Sequence, residues 1–465
     1  MTSCDWTSAI RRTCQDLQAR GARPHRLVVR QHGRTVADWR LDPWQPDLPG
    51  LVYSVSKTFT SAAVGLAVGD GAFDYDDRLV DLWPQVRTCR TGPVAASIRV
   101  RDALAMATGH SQEQADSMLV ARRPDLSTAQ RFMATEPAGR PGVDFAYNNL
   151  ATWLLGRIVA RHTGLDVETL LGQRVFDPLG ITDHSWQRDA DGQPLGFSGL
   201  HLNPEGLARF GQLLLDGGLH DGVPLLPQAW IREHRRHQVR SDGAAGPDWG
   251  QGYGWQTWLS RHGFRLDGAF GQFVLVLEEV DAVVVITSNA ESNAVGGPAT
   301  MQGVLEAAWD HLWPQLVADR APAEPVRLVE ELPPVSGAHD SARSSQALLD
   351  DGTHVVAAPG AQGWTLSWDS PHGPALRFGV GHGRWQHTAC RTEHGGLDVA
   401  ASGGWTDDGL VVDLAVVSSP HTLHLVLAGP HTRARWDTEP LNPGGLVGLL
   451  HPIGQAADPA SPVRP

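Results

Sequence analysis

The sequence predicts an α+β unit, an antiparallel sheet covered by terminal helices with a helical cluster beside it, followed by a small all-β barrel or sandwich. Three observations predict this. Apolar residues recur at helical spacing through the first two thirds, β-rich runs crowd together between about 250 and 290, and short β-like runs return at about 8–12-residue spacing after about 345. The 465 residues therefore divide into residues 1–317, a Pro-, Ala- and Ser-rich linker over 318–345, an all-β unit over 346–452 and a flexible tail over 453–465.

Each element has its own signal. Residues 5–20 open the chain as a helix. Leu27-Val-Val-Arg and Thr35-Val-Ala-Asp-Trp flank a His32-Gly33 turn and form a hairpin. From Lys57 to Gly69, Phe59, Ala62, Ala63, Leu66 and Ala67 make one buried stripe of a helix. A helix over about 150–163 stops at Gly164, and another runs from Pro204 to about Leu215 with Leu207, Phe210, Leu213 and Leu214 on one side. Gly252-Tyr-Gly-Trp-Gln-Thr-Trp, Gly271-Gln-Phe-Val-Leu-Val-Leu and Ala282-Val-Val-Val-Ile-Thr read as an antiparallel meander. Met301, Val304, Leu305, Ala308, Trp309 and Leu312 form a last helix that Pro314 ends. In the all-β unit the runs are Thr353-His-Val-Val, Trp364-Thr-Leu-Ser-Trp, Ala375-Leu-Arg-Phe, Leu410-Val-Val-Asp-Leu and Leu423-His-Leu-Val-Leu.

Composition excludes several classes. Apolar residues at 41% and charged ones at 19% rule out a long disordered chain. With 38 Lys+Arg against 51 Asp+Glu the net charge is −13, and no basic block exists to bind nucleic acid. No apolar run approaches the roughly 18 residues of a membrane helix, and the N-terminus has no secretory pattern. Cys4, Cys14, Cys89 and Cys390 are scattered, which fits a reducing cytoplasm. Nothing in the sequence addresses oligomeric state.

The chemistry concentrates in Tyr53-Ser-Val-Ser-Lys57. Ser54 and Lys57 are three residues apart at a helix start, so both side chains share one face. A serine hydroxyl needs a neighbour to take its proton, and a lysine does so when burial lowers its pKa. The helix N-terminus adds N–H groups where an oxyanion develops. The plainer alternative is that Ser54 or Ser56 caps the helix and Lys57 is solvated. Downstream, Phe145-Ala-Tyr-Asn-Asn149 precedes a helix. Tyr147 could shuttle a proton and Asn149 could orient Lys57 or substrate, unless Tyr147 is a turn residue and Asn149 the N-cap.

Ser54-Val-Ser-Lys57, Tyr147-Asn-Asn149 and Gly268-Ala-Phe-Gly-Gln272 together resemble the serine β-lactamase and penicillin-binding-protein superfamily, closest to its class C-like β-lactamase-related serine hydrolases. Ile98 to His110, Pro141 to Phe145 and Phe176 to Ile181 resemble that branch too, so the likeness runs from about 20 to 315. It implies a β-lactamase/transpeptidase-like fold. It also implies a catalytic set of Ser54, Lys57, Tyr147 and Asn149, with oxyanion N–H groups from Ser54 and a residue near Ala269.

One departure stands out. The family's third motif is Lys- or His-x-Gly, and here Leu266-Asp267-Gly268 occupies it: the glycine is kept and the basic residue is not. Arg265 or His262 could supply the charge from the preceding turn, though an exposed hairpin turn explains both. Without that charge the site should disfavour β-lactams and D-alanyl peptide ends, and should prefer neutral or cationic substrates over carboxylates. His110 matches the family pattern as a substrate-side residue, or else satisfies backbone groups nearby.

Other signals are weaker. Glu233-His234-Arg-Arg-His237 places two histidines at i, i+3, but Arg235 and Arg236 would repel a cation, so no metal is expected. Gly379-Val-Gly-His-Gly-Arg opens no helix and reads as a β-turn. The expected protein is a serine hydrolase cleaving a small-molecule ester or amide through a Ser54 acyl-enzyme, with no cofactor. An acyltransferase serving biosynthesis and a non-catalytic binding protein on a hydrolase fold are the alternatives.

Overall fold

A computed structural model describes residues 5–120, 125–241, 246–290, 301–340, 342–360 and 362–452. The expected tail over 453–465 and Cys4 lie outside them. Among the described residues the first sheet has seven strands: β1 (Arg23–Gln31), β2 (Arg34–Asp42), β3 (Trp258–Leu259), β4 (Phe264–Gly268), β5 (Gln272–Leu277), β6 (Ala282–Asn289) and β7 (Val326–Glu331). Their order across the sheet is β7-β2-β1-β6-β5-β4-β3, and all neighbours are antiparallel except β7 with β2. The β1–β2 turn uses His32 and Gly33 in the left-handed region, the conformation a tight hairpin demands.

Helix α1 (Trp6–Ala19) and the C-terminal helical segment cover one face of this sheet, burying Ile10, Leu17, Trp39, Leu275, Val284 and Leu305 together. The last helix departs from expectation. It runs Met301–Ala307, passes through a π turn at Ala308–Leu312, and continues as Trp313–Val317. Pro314 does not end it, because it falls in the first turn of the final segment, where its missing N–H costs nothing.

The other face carries the helical cluster: α2 (Ser56–Gly69), α3 (Asn149–Thr163) and α4 (Pro204–Leu215). Helix α2 is buried on every side from Ser56 to Ala67, its polar Ser56, Lys57, Thr58, Thr60 and Ser61 included, so the expected single stripe gives way to all-round burial. Gly65 lets Trp230 pack on it, since a Cβ there would lie 2.5 Å from the Trp230 ring. Helix α4 begins with Asn203 accepting the Gly206 N–H, and buries Leu207, Phe210, Leu213 and Leu214.

Two further expectations shift. The run 252–258 is mostly not strand; Tyr253 makes isolated bridges to Val239 and Trp258 instead. The segment 318–345 is not only a linker, for β7 joins the first sheet from within it. Beyond it, nine strands among the described residues form one curled sheet. Its first strand, Ser345–Leu348, returns to the strand Thr422–Leu427 through the Ser345 hydroxyl on the Leu427 carbonyl. All five expected runs are strands, and two more lie between them at Gln386–Thr392 and Gly395–Thr406. The core of this unit, with Leu366, Phe378, Val412 and Leu425, also takes in Leu51, Tyr53 and Phe270 from the first unit.

Candidate active site

The turn that carries Ser54 is short. Tyr53 holds φ 49° and starts a 3-10 turn, Tyr53–Val55, which passes straight into α2. No side chain caps α2, so Ser54 and Ser56 are not its N-caps. Ser56 instead donates to the Tyr53 carbonyl and accepts the Leu200 N–H at 3.1 Å, locking the turn to the neighbouring strand.

Lys57 lies one turn on and is buried. Its Nζ donates to Ser54 Oγ at 2.7 Å and to the Phe197 carbonyl at 2.8 Å. Burial pushes the amine well below its ordinary pKa, opposed only by the Asp267 carboxylate. The Tyr147 ring stands 4.7 Å from Nζ and stacks near Trp258. Burial raises the phenol's pKa, and the Ser54 side chain is near enough to the phenol to pull it down against that larger effect. Ser54, Lys57 and Tyr147 are thus brought together.

Asn149 is not brought to Lys57 by any hydrogen bond. Asn148 is the N-cap of α3, accepting from Leu150 and Ala151, and Asn149 is the first helical residue with a buried Oδ1 that has no partner. The Phe197 carbonyl takes the expected place. Its loop is fixed by Thr60 donating to the Gly196 carbonyl at 2.8 Å and by Trp186 donating to that of Ser198 at 2.7 Å. A backbone acceptor leaves no side-chain signature; the only trace in the sequence is the Gly196-Phe-Ser-Gly199 bracket.

The end of β4 abuts the turn that carries Ser54. A Cβ on Gly268 would lie 2.3 Å from the Val52 carbonyl oxygen, so only glycine allows this approach, and Ala269 follows. Asp267 is buried with Arg265 Nε at 3.0 Å, and burial raises its pKa to about 6 against the pull of that guanidinium. Arg265 is fully buried between Trp249 and Trp258, with its ζ carbon 4.5 and 5.6 Å from their rings. It donates to the carbonyls of Asp248 and Leu259 and to Ser260. It neutralises Asp267 rather than standing as an exposed turn cation.

The remaining expected residues are engaged elsewhere. His110 is buried, with its nitrogens on Thr108 Oγ1 and the Thr135 carbonyl and its ring on Phe132, which is the backbone-satisfying alternative. His262 stacks on Trp313 at 3.7 Å, on the terminal helix. His234 is buried against Trp230, and among the described residues no group of three or more His, Cys, Asp or Glu side chains could hold a metal ion.

The profile of the Beta-lactamase family matches residues 10–308, more than half of the chain. The chain belongs to that family. Among its relatives, ML-236A carboxylate methylbutanoyltransferase of Penicillium citrinum is 27% identical over 32% of this chain and 40% of its own. The 6-aminohexanoate-dimer hydrolase of Paenarthrobacter ureafaciens is 23% identical over 49% of this chain and 58% of its own. The chain thus spans about half the length of the curated relatives it matches. In fold it is similar to the D-amino acid amidase of Ochrobactrum anthropi, with a TM-score of 0.53 at 19% identity over 68% of this chain and 99% of that one. Within the family fold, Leu266-Asp267-Gly268 remains the local departure, now seen as one half of a buried ion pair.

Proposed function

We propose that the protein is a serine hydrolase that opens a small-molecule ester or amide through an acyl-enzyme on Ser54. The observation that carries this reading is the 2.7 Å bond between a buried lysine amine and the Ser54 hydroxyl. Ser54 Oγ attacks the substrate carbonyl and its proton passes to Lys57, whose depressed pKa makes the neutral amine accessible. Tyr147, whose ring stands beside Lys57 Nζ, relays the proton to the leaving alcohol or amine. The N–H groups of Ser54 and Ala269 hold the oxyanion. Water, deprotonated by the same pair, then releases the acid. The scheme uses side chains, backbone and water alone. Asn149 has no part in orienting Lys57 in it; the Phe197 carbonyl does that.

Arg265, the cation that could have held a substrate carboxylate, is spent on Asp267. Neutral or cationic esters should therefore turn over faster than matched anionic ones. The free thiols of Cys14, Cys89 and Cys390 among the described residues fit work in the cytoplasm. Among those residues no helix is long and apolar enough to cross a membrane.

The test is turnover of p-nitrophenyl esters by the protein and by Ser54→Ala, with fluorophosphonate labelling of Ser54 in parallel. We expect roughly 10⁴-fold or more loss in the variant. No Ser54-dependent turnover and no labelling would sink the hydrolase reading and leave a binding role, to which the lost third-motif base points. The methylbutanoyltransferase relative favours a second reading, in which an alcohol or amine takes the acyl group instead of water. Ester or amide products formed with added acceptors, faster than free acid, would establish it.

A further inference from the structure

The C-terminal unit reaches the residues on either side of the oxyanion site through one histidine. His421 is fully buried in that unit, and its Nε2 lies 2.5 Å from the Tyr53 hydroxyl. Its Nδ1 lies 2.8 Å from the Thr438 carbonyl, which only accepts. Nδ1 therefore carries the proton, and Nε2 offers a lone pair to the Tyr53 O–H. The Thr438 hydroxyl in turn donates to Asn289 Oδ1 at 2.8 Å, at the end of β6. The path leaves the nucleophile turn, crosses the C-terminal unit and returns to the first sheet.

Phe270 closes the cluster. Its ring centroid is 4.7 Å from that of His421 and 5.1 Å from that of Tyr53, both edge-on. Tyr53 precedes Ser54 and Phe270 follows Ala269, so the three rings bridge the two segments whose N–H groups the proposed scheme assigns to the oxyanion. Both Tyr53 (φ 49°) and Phe270 (φ 64°) are non-glycine residues in the left-handed region, a conformation that persists only where the surroundings enforce it. The Leu51 N–H on the Ser418 carbonyl, at 2.9 Å, adds a backbone tie at the same place.

We propose that His421 is a positioning residue: by accepting from Tyr53 and packing on Phe270, it fixes the spacing between the Ser54 and Ala269 N–H groups. The C-terminal unit is then part of the acylation machinery and not an appended module. This rests on the reading of Ser54 as nucleophile.

The test compares His421→Leu, His421→Gln, Tyr53→Phe and the double variant Tyr53→Phe/His421→Leu in the full chain. The readouts are the fluorophosphonate labelling rate of Ser54 and the kcat and KM for a p-nitrophenyl ester. His421→Leu and Tyr53→Phe should each acylate about tenfold more slowly with KM little changed, since a misplaced donor weakens the transition state more than substrate binding. The double variant should fall no further, because both changes remove one bond. His421→Gln, which keeps an acceptor, should recover most of the rate. Should His421→Leu fail to fold, Tyr53→Phe and His421→Gln decide alone. A folded His421→Leu or Tyr53→Phe that labels at the unmodified rate, or a double variant whose losses multiply, overturns the inference while Ser54 stands. An unmodified protein that does not label overturns the nucleophile reading itself.

Discussion

Gly268→Ala is the sharpest steric test of the site. An added Cβ would lie 2.3 Å from the Val52 carbonyl oxygen and 3.1 Å from Gln272 Cβ. A carbon–oxygen contact settles at about 3.3 Å, so the end of β4 must retreat from the nucleophile turn by about 1 Å. The obstacle is backbone and cannot rotate away, while the backbone conformation at Gly268 is one alanine tolerates, so the effect is purely steric. A retreat of that size between Ser54 and Ala269 should lower acylation by about 10²-fold. The overpacking itself should cost about 1–3 kcal/mol of stability. Ester turnover and labelling read the first quantity, and urea unfolding reads the second. Gly156→Ala is the matched control: on α3, its Cβ would meet Val167 at an ordinary 3.6 Å. It should gain up to about 1 kcal/mol from helix propensity and leave turnover unchanged. If Gly268→Ala turns over substrate within about twofold of the unmodified protein, the reasoning from close approach to geometry is wrong.

Four more outcomes are expected. Lys57→Arg should lose about 10²–10⁴-fold in acylation, because a guanidinium stays protonated and cannot take the serine proton. The unmodified pH–rate profile should rise to a plateau below the ordinary lysine range, and a rise only near pH 10 would contradict the buried amine. His424, whose nitrogens meet Asp413 and Asp437, has its pKa raised to about 9, first by Asp413 and then by Asp437, which also pairs with Arg23 of β1. Because the folded value exceeds the unfolded one, its stabilisation is complete below about pH 6.5 and is lost as pH rises through 9. The unfolding midpoint should fall across that window by the equivalent of about 1–3 kcal/mol, and His424→Asn should flatten the fall. Phe59→Ala, which empties the space against Phe210 and Phe176, should cost about 3–5 kcal/mol in denaturant unfolding.

Much of this architecture was legible because its signals are local. The His32-Gly33 hairpin and α4 declare themselves by turn chemistry and periodicity, and Ser54 with Lys57 by residue type at helical spacing. What escaped depends on distant partners. Val326–Glu331 has a modest alternating pattern, and only β2, far back in the chain, makes it a strand. The aromatic run at 252–258 looks like strand, yet Gly254 must pass against the His234 carbonyl, where a Cβ would sit 2.0 Å away, and the chain bends instead. Phe197 acts through its carbonyl, which no side chain advertises. Asn148 and Asn149 are adjacent, and which one caps α3 depends on a single residue of register. Arg265 and Asp267 alternate along β4, so they share a face and pair with each other; the sequence shows their charges but not that each cancels the other.

The edge strand β7 has a mechanical meaning. After Glu331 the Leu332 N–H still bonds the Asp42 carbonyl of β2, and the Val335 N–H already bonds Ser402 Oγ of the second unit. The free tether is only Pro333 and Pro334 between them, at most roughly 10 Å when stretched at about 3.5 Å per residue. A pull on the C-terminal unit is therefore not absorbed by slack. It loads β7 along its hydrogen bonds to β2, and through β1 it reaches the sheet that ends beside Ser54. A chain cut before β7 would lose that stiffness and would also leave β2 as a bare edge, open to pairing with another copy.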